Sequence, residues 1–571
     1  MFGSRQVLTV AERQLTLAQR FPRWREQCLH EMLDSVALQF PDRPYVVTDE
    51  RVYSYRDIQL WSMGIARGLL AEGVRPGDHV GMILANYPEF VAVKFAIARA
   101  GAVAVPINFL NRAAELQYVL QQSDTVLLIT MDRFRALNYL QSLDEIASGW
   151  DQLDGQKKFP YLRRVVVFST SQATPRPNVM SLQELAARSH DHVLPASCDA
   201  SAPADIIYTS GTTGGPKGVL LTHDMLLRTA YGSAYSRAFQ DERRVLFALP
   251  LYHVYGYVEG MLSVLFVGGA IIPQLQFDPV NTLNGIVRHR ANDVLFVPTM
   301  TLAVLDVLRH TAYDLPSFGA VLSSGGKSPE DIWEQISSLF KDPEITTGYG
   351  MTETTASTTV TRPDDPIERL RTTNGRMRDV GIAGDPQHGN QLAFYRVVDS
   401  VSGAPLPLGS VGELVVRGLG VTTGYYKKPE ETAAAFDAQG WLLTGDLGVI
   451  DAEGYISLRG RKKECYRCGG EQVFPLEVED VLIQHPAVAQ AYIVPLSDRR
   501  MGEVGVAFIV MQHNASATAA ELIEHCAQRL ARFKVPKHVI TIKSDELPTT
   551  PTGRPRKFLL AQRAAEEISS L

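Results

Sequence analysis

No stretch of this 571-residue chain is apolar for long enough to cross a bilayer. The longest apolar run, 260–273, falls short of the roughly 20 residues that a spanning helix needs. Cysteine is scarce as well, and five in this length supply no disulfide framework. Cys465 and Cys468 form a C-x-x-C, yet no second cysteine or cysteine–histidine pair stands at zinc spacing. With Lys463, Arg467 and a glycine pair as flanks, the two read as incidental occupants of a loop. An excess of positive charge is also missing. The formal charge of −6 excludes the electrostatic footprint of a nucleic-acid or anionic-membrane binder. The first residues carry no apolar core followed by a small-residue cleavage site, so a secretory signal is not expected and the expected location is cytoplasmic.

What is present is the composition of a globular protein, 45% hydrophobic and 21% charged. The length exceeds one ordinary core, so at least two domains are expected. No internal repeat occurs. Through the first four hundred residues, apolar runs such as 165–168 and 294–297 alternate with helical stretches such as 57–72. That alternation predicts a large α/β body with mostly parallel sheets. From about Val411 the chain turns strand-rich, with 413–417 and 454–459 separated by glycine turns. After 460–463 the character changes again. Pro475 opens a short helix that stops before Pro486, two β-like runs follow at 489–494 and 504–511, and Thr518 with Glu521 forms a capping box. The reading is a domain over 1–462 and a small, mobile α+β domain over 463–571, joined by a charged segment.

The densest signal is Tyr208-Thr-Ser-Gly-Thr-Thr-Gly-Gly-Pro-Lys-Gly218, after a strand-like 205–208. Thr209, Ser210, Gly211, Thr212, Thr213 and Gly214 let backbone N–H and side-chain O–H groups wrap a phosphate, and Lys217 adds a point charge. It is not the common nucleotide loop, because Pro216 and Gly218 break that pattern.

With this segment the sequence resembles the adenylate-forming superfamily of acyl-CoA synthetases, luciferases and peptide-synthetase adenylation domains. The likeness runs over the whole chain, with several motifs in the family's order. Gly348-Tyr-Gly-Met-Thr-Glu353 is similar to the nucleotide segment. The resemblance puts Tyr349 near adenine, Thr352 on phosphate and Glu353 on Mg²⁺; a carboxylate beside a polyphosphate requires a cation between them. Read alone, the segment is equally an ordinary turn. Ser324-Gly325-Gly326 resembles the strand-end turn that lets nucleotide approach the backbone. Trp441-Leu-Leu-Thr-Gly-Asp446 resembles the motif whose aspartate accepts from the ribose hydroxyls. Gly460-Arg-Lys-Lys463 resembles the interdomain joint, which implies that Arg461 contacts nucleotide and the small domain turns about Lys463; a solvated charge run is the plain alternative. Leu249-Pro-Leu-Tyr252-His253 and Val297-Pro-Thr299-Met300 resemble the segments that wall the acyl pocket, to which Tyr257 adds an aromatic face and Gly348 a backbone edge. His253 gates or lines that pocket, or is a buried structural histidine. Gly469 and Gly470 resemble the loop that lines the pantetheine tunnel. The implied activity is AMP-forming acyl-CoA ligation, with ATP or AMP, Mg²⁺ and coenzyme A as cofactors and a carboxylic acid or acyl-adenylate as substrate.

The last motif departs from the family. Where P-K-T-x-x-G-K is usual, the chain reads Leu547-Pro-Thr-Thr-Pro-Thr-Gly553-Arg554. Arg554 stands at the place of the lysine that bridges acid and nucleotide during adenylation, and completes the candidate catalytic set of Lys217, Thr352 and Glu353. Arginine keeps the charge but not the geometry. The expectation is a strong thioester-forming half-reaction and an impaired adenylating one, with a separate adenylating enzyme as a partner. The rivals are a complete ATP-dependent ligase, in which Arg554 or Lys557 does the work, and a catalytically silent nucleotide-binding homologue.

Overall fold

Two seven-stranded sheets and the helices around them make up most of the chain. The computed structural model describes residues 8–151, 158–171, 176, 179–188, 192–195, 198–209, 215–326, 328–329, 331–512, 514–549 and 555–569. In one sheet the strands Glu344–Thr346, Ala320–Ser323, Asp293–Phe296, Arg244–Phe247, Ala270–Pro273 and Pro44–Val47 run parallel, with Val52–Ser54 antiparallel at the edge. The other runs Lys217–Thr222, Pro203–Thr209, Val103–Pro106, His79–Ile83, Thr125–Met131, Arg164–Phe168 and Met180–Ser181. It is parallel except where Pro203–Thr209 folds back on Lys217–Thr222. Strands buried on both faces explain the unbroken apolar runs in the sequence.

Local signals set the helices. Tyr55–Ala71 starts at a capping box of Ser54 and Asp57, and Pro88–Arg99 starts at its own proline. Both enter the main core, together with Leu29–Gln39 and His223–Ser236. A smaller core lies under Pro279–His289, Pro298–His310 and Ile332–Phe340. Between the large sheets runs an eight-residue π-helix, Tyr255–Leu262, every residue of which is buried.

A four-stranded antiparallel sheet follows: Ala393–Val398, Gly412–Gly418, Leu442–Ile450 and Ile456–Arg461. The smaller C-terminal domain then builds its own sheet from Tyr466–Cys468, Glu471–Val473, Val488–Asp498, Gly502–Met511 and His538–Thr541. Pro475–Ile483 and Ala519–Ala527 pack on one face and Lys557–Ser569 on the other, each closing a separate core. The capping box at Thr518 is formed as its sequence predicts. No helix among the described residues is long and apolar enough to cross a membrane.

One sequence expectation needs correction. Cys28 and Cys198, 170 positions apart in sequence, form a disulfide with their Cα atoms 6.1 Å apart. The pairing depends on the helix Leu29–Gln39, which Cys28 caps, meeting the segment ahead of the strand Pro203–Thr209. Spacing along the chain cannot reveal such a meeting. Cys465, Cys468 and Cys526 are free thiols, and Cys468 stands in a strand opposite Glu471.

Candidate active site

The phosphate-loop segment is closed at its base by the pair Thr209 and Lys217. Ser210, Gly211, Thr212, Thr213 and Gly214 lie outside the described residues. Below the base, Gly218 packs so tightly on Ile206 that a Cβ would come within 2.6 Å of its side chain, so this glycine serves the hairpin. Lys217 Nζ sits 4.7 Å from the centre of the Tyr425 ring, within cation–π range. The Tyr425 hydroxyl donates to Glu353 Oε1 at 3.1 Å. One tyrosine therefore touches both the phosphate-loop cation and the carboxylate.

Backbone bonds fix that tyrosine. The amide of Leu220 donates to Gly424, that of Tyr426 to Gly218, and that of Thr422 to the Glu353 carbonyl. Glu353 is 8% exposed. Burial pushes its carboxyl up from the ordinary value, against the lowering pull of Tyr425, Arg461 and Lys217. A carboxylate this enclosed, with a single phenol as side-chain donor, keeps oxygen lone pairs for a hard cation, whose charge would offset the cost of burial. Thr352 and Glu353 lie in a tight turn that ends at Thr355, a buried β-branched residue at φ 68°. That left-handed conformation is held by a bond from Thr355 Oγ1 to the Gly420 carbonyl at 2.7 Å. Strain of this kind persists only where the surroundings over-determine it.

The two glycines flanking Tyr349 have steric reasons of their own. A Cβ on Gly348 would lie 2.4 Å from the Thr359 carbonyl oxygen, and one on Gly350 would lie 1.8 Å from that of Ala356. Tyr349 points its hydroxyl at Asp446 Oδ2, 2.6 Å away, and Arg461 Nε reaches Asp446 Oδ1 at 2.7 Å. The buried aspartate thus has a hydroxyl donor on one oxygen and an ion-pair contact on the other, and each oxygen retains a lone pair for another hydroxyl. Ser324 Oγ donates to the Gly348 carbonyl at 2.6 Å. A Cβ on Gly325, at φ 90°, would touch Val297 and Tyr255, and one on Gly326 would touch Pro298. The glycine turn therefore stacks on the segment that carries Thr299 and Met300, the first exposed and the second half-buried.

Of the aromatic wall candidates, Tyr252 is 7% exposed and packs edge-on against Phe109. No partner for its hydroxyl lies among the described residues. His253 is half-buried, and its Nδ1 accepts from the Tyr255 amide at 3.3 Å. Tyr257 is wholly buried, and its hydroxyl is engaged by Asp205 at 3.2 Å. A cavity of about 300 Å³ opens beside Tyr87, Arg133, Arg135 and Gln276; none of the predicted wall residues lines it.

At the joint, Lys462 pairs with Glu413 at 2.6 Å, on the four-stranded sheet. Glu464 pairs with Lys557 at 3.0 Å, on the C-terminal helix. Lys463 lies between them, exposed, in the short turn Lys462–Glu464. Lys557 also reaches Glu479 at 2.7 Å. Gly469 and Gly470 form a two-residue hairpin with φ of 62° and 90°, the positive values that a primed hairpin turn needs. Arg554 lies outside the described residues. Pro555 and Thr549, on either side of it, face each other in an isolated bridge, and the Arg556 amide donates to the Pro548 carbonyl.

A family model described as AMP-binding enzyme matches residues 33–426, and a second, the AMP-binding enzyme C-terminal domain, matches 477–554. The chain belongs to the adenylate-forming superfamily, in its acyl-CoA ligase branch. Among relatives, a sulfoacetate–CoA ligase of Cupriavidus necator is 32% identical over 92% of this chain and 96% of its own length. Acyl-CoA ligase sidI of Aspergillus fumigatus is 31% identical over 95% of this chain and 91% of its own. The solved o-succinylbenzoate CoA synthetase of Bacillus subtilis, in complex with its acyl-adenylate intermediate, superposes with a TM-score of 0.77 at 26% identity. That match covers 94% of this chain and 98% of the other. The adenylate-forming enzyme described here is an AMP-forming ligase.

Sequence reasoning missed Tyr425, although it lies in the strand-rich region already singled out. A lone tyrosine carries no motif, and its importance comes from the hairpin that sets it between Lys217 and Glu353.

Proposed function

We propose that this enzyme joins a carboxylic acid with a largely apolar acyl group to coenzyme A through an acyl-adenylate, and that adenylation is its weaker half-reaction. The residues gathered at the site supply each part. ATP would lie with its phosphates along 209–217 beside Lys217 and Thr352, its ribose on Asp446 between Tyr349 and Arg461, and its adenine at the Ser324–Gly326 turn. Glu353 would hold Mg²⁺, which when bound neutralises phosphate charge. The acid, walled by Tyr252, His253 and Met300, attacks the α-phosphorus and releases pyrophosphate. The coenzyme A thiol, entering past Gly469 and Gly470, then attacks the acyl carbon and releases AMP.

The ion pairs at the joint support Lys463 as the pivot between domains 1–462 and 463–571. Arg461 and Lys462 are tied to the four-stranded sheet and Glu464 to the C-terminal helix, so the residue between them is where one body can turn on the other.

Arg554, at the place of the family lysine, carries the split between the half-reactions. Its planar fork does not reproduce an ammonium in a tight oxygen cage. Loss of one placed cationic donor costs about 2–4 kcal/mol of barrier, roughly a hundred- to thousandfold in rate. Lys557 is a poor substitute, since Glu464 and Glu479 both hold it. The test compares coenzyme A thioester formed from acid plus ATP with that formed from synthetic acyl-AMP. The second should be much faster, and Arg554→Lys should raise only the first. Equal rates, with no gain from Arg554→Lys, would leave a complete ligase. If the split holds, a second enzyme supplies the adenylate.

A further inference from the structure

The π-helix Tyr255–Leu262 sends three side chains, at alternate positions, to three different parts of the site. The Tyr255 hydroxyl donates to the carbonyls of Phe296 at 2.9 Å and Leu322 at 3.2 Å. These are the strand ends that lead into Val297–Met300 and Ser324–Gly326. The Tyr257 hydroxyl donates to Asp205 Oδ2. Asp205 is also paired with Lys94 at 2.7 Å and lies on the strand that opens the phosphate loop. Glu259 reaches the third part, the strand Ala356–Val360. Its Oε1 accepts from the Ser357 amide at 3.1 Å, its Oε2 accepts from Ser233 Oγ at 2.5 Å, and Arg378 spans both oxygens at 3.1 and 3.3 Å.

The position of the Ser357 contact matters. Ala356–Val360 pairs on one side with Gly348–Met351, the strand that leads into Thr352 and Glu353. On its other side Arg376–Met377 covers only Thr359 and Val360. The Ser357 amide stands beyond that cover, and a buried amide left unmatched is costly. Glu259 satisfies it from the π-helix. Glu259 and Arg378 both have side chains 0% exposed. A well-packed apolar pair is commonly as stable as a buried ion pair or more so, so stability alone does not account for this one. Long π-helical stretches are rare and cluster at functional sites.

We propose that the π-helix is the positioning element that fixes acyl wall, phosphate-loop strand and cation carboxylate relative to one another, with Glu259 the positioning residue for Glu353. The inference rests on the reading of Glu353 as the Mg²⁺ carboxylate. The test is the paired variant Glu259→Met with Arg378→Met, which removes both charges and leaves neither stranded. ATP affinity is measured by calorimetry with Mg²⁺ and again with chelator. In the variant, affinity with Mg²⁺ should fall about tenfold, as expected for losing one hydrogen bond to a charged group, while affinity in chelator changes less than roughly twofold. General damage to the fold would weaken both equally, and that result, or a native ratio between the two affinities, overturns the proposal. A native protein whose ATP affinity ignores Mg²⁺ would instead refute the role given to Glu353. Should the paired variant fail to fold, Glu259→Gln is measured beside Asp34→Asn. The second breaks the pair with the buried Arg99, away from the π-helix, and only Glu259→Gln should lower the Mg²⁺-dependent affinity. Equal effects of the two would overturn the positioning role.

Discussion

Replacing Glu353 with glutamine should stabilise the ligand-free enzyme while removing its response to a divalent cation. An ionised carboxylate buried in a protein costs several kcal/mol. The Tyr425 hydroxyl, 3.1 Å away, returns about 1.5–3 kcal/mol as a hydrogen bond to a charged acceptor, and Lys217 and Arg461 add attraction. A net penalty on the order of 1 kcal/mol remains, and glutamine, which still accepts from Tyr425 and carries no charge, escapes it. At the few degrees per kcal/mol seen for larger domains, the melting temperature should rise by about 2–4 °C. The sign with pH follows from the raised carboxyl. The folded protein holds this proton more tightly than the unfolded chain does. The contribution to stability is therefore full below the ordinary value of 4.5 and is lost as pH rises through the raised value. Melting curves from pH 4.5 to 8 should thus separate native from variant increasingly as pH rises, and Mg–ATP should stabilise only the native enzyme. A variant that melts at or below the native temperature, with the same pH slope, would show that the carboxylate is not penalised and refute the argument.

Lys463→Pro fixes φ between the two anchored ends of the joint and should trap one domain orientation. Acid-dependent pyrophosphate exchange and thioester formation from acyl-AMP should then fall by very unequal factors, and equal losses would move the pivot elsewhere. Cys198→Ser opens a covalent loop of 170 residues, for which chain entropy sets a ceiling of about 5 kcal/mol. The native melting temperature should drop in reductant toward that of the variant, and the variant should not respond.

The motifs proposed for the site were legible in the sequence because each depends on local order. A glycine- and hydroxyl-rich loop with a lysine, and a carboxylate at the end of Gly348–Glu353, are each written in consecutive residues. Helix starts were legible for the same reason, as Ser54 with Asp57 and Thr518 with Glu521 illustrate. What stayed hidden depends on long-range meetings. Tyr425 is 72 residues from the carboxylate it holds, Cys28 is 170 from Cys198, and Glu259 is 98 from the Ser357 amide. The π-helix was hidden for another reason: residues 255–262 are buried all round, so no amphipathic period marks them.

The ion pairs at the joint bear on how the enzyme responds to ionic strength. Lys462 with Glu413 lies wholly on the large domain's side of Lys463, and Glu464 with Lys557 wholly on the small domain's side. A turn of the small domain about Lys463, as proposed above, would separate neither pair, so these two attractions would persist through it. Salt weakens exposed pairs by screening; here it would soften the attachment of each end of the joint. The proposed hinge would thus have an ion pair anchoring each of its sides.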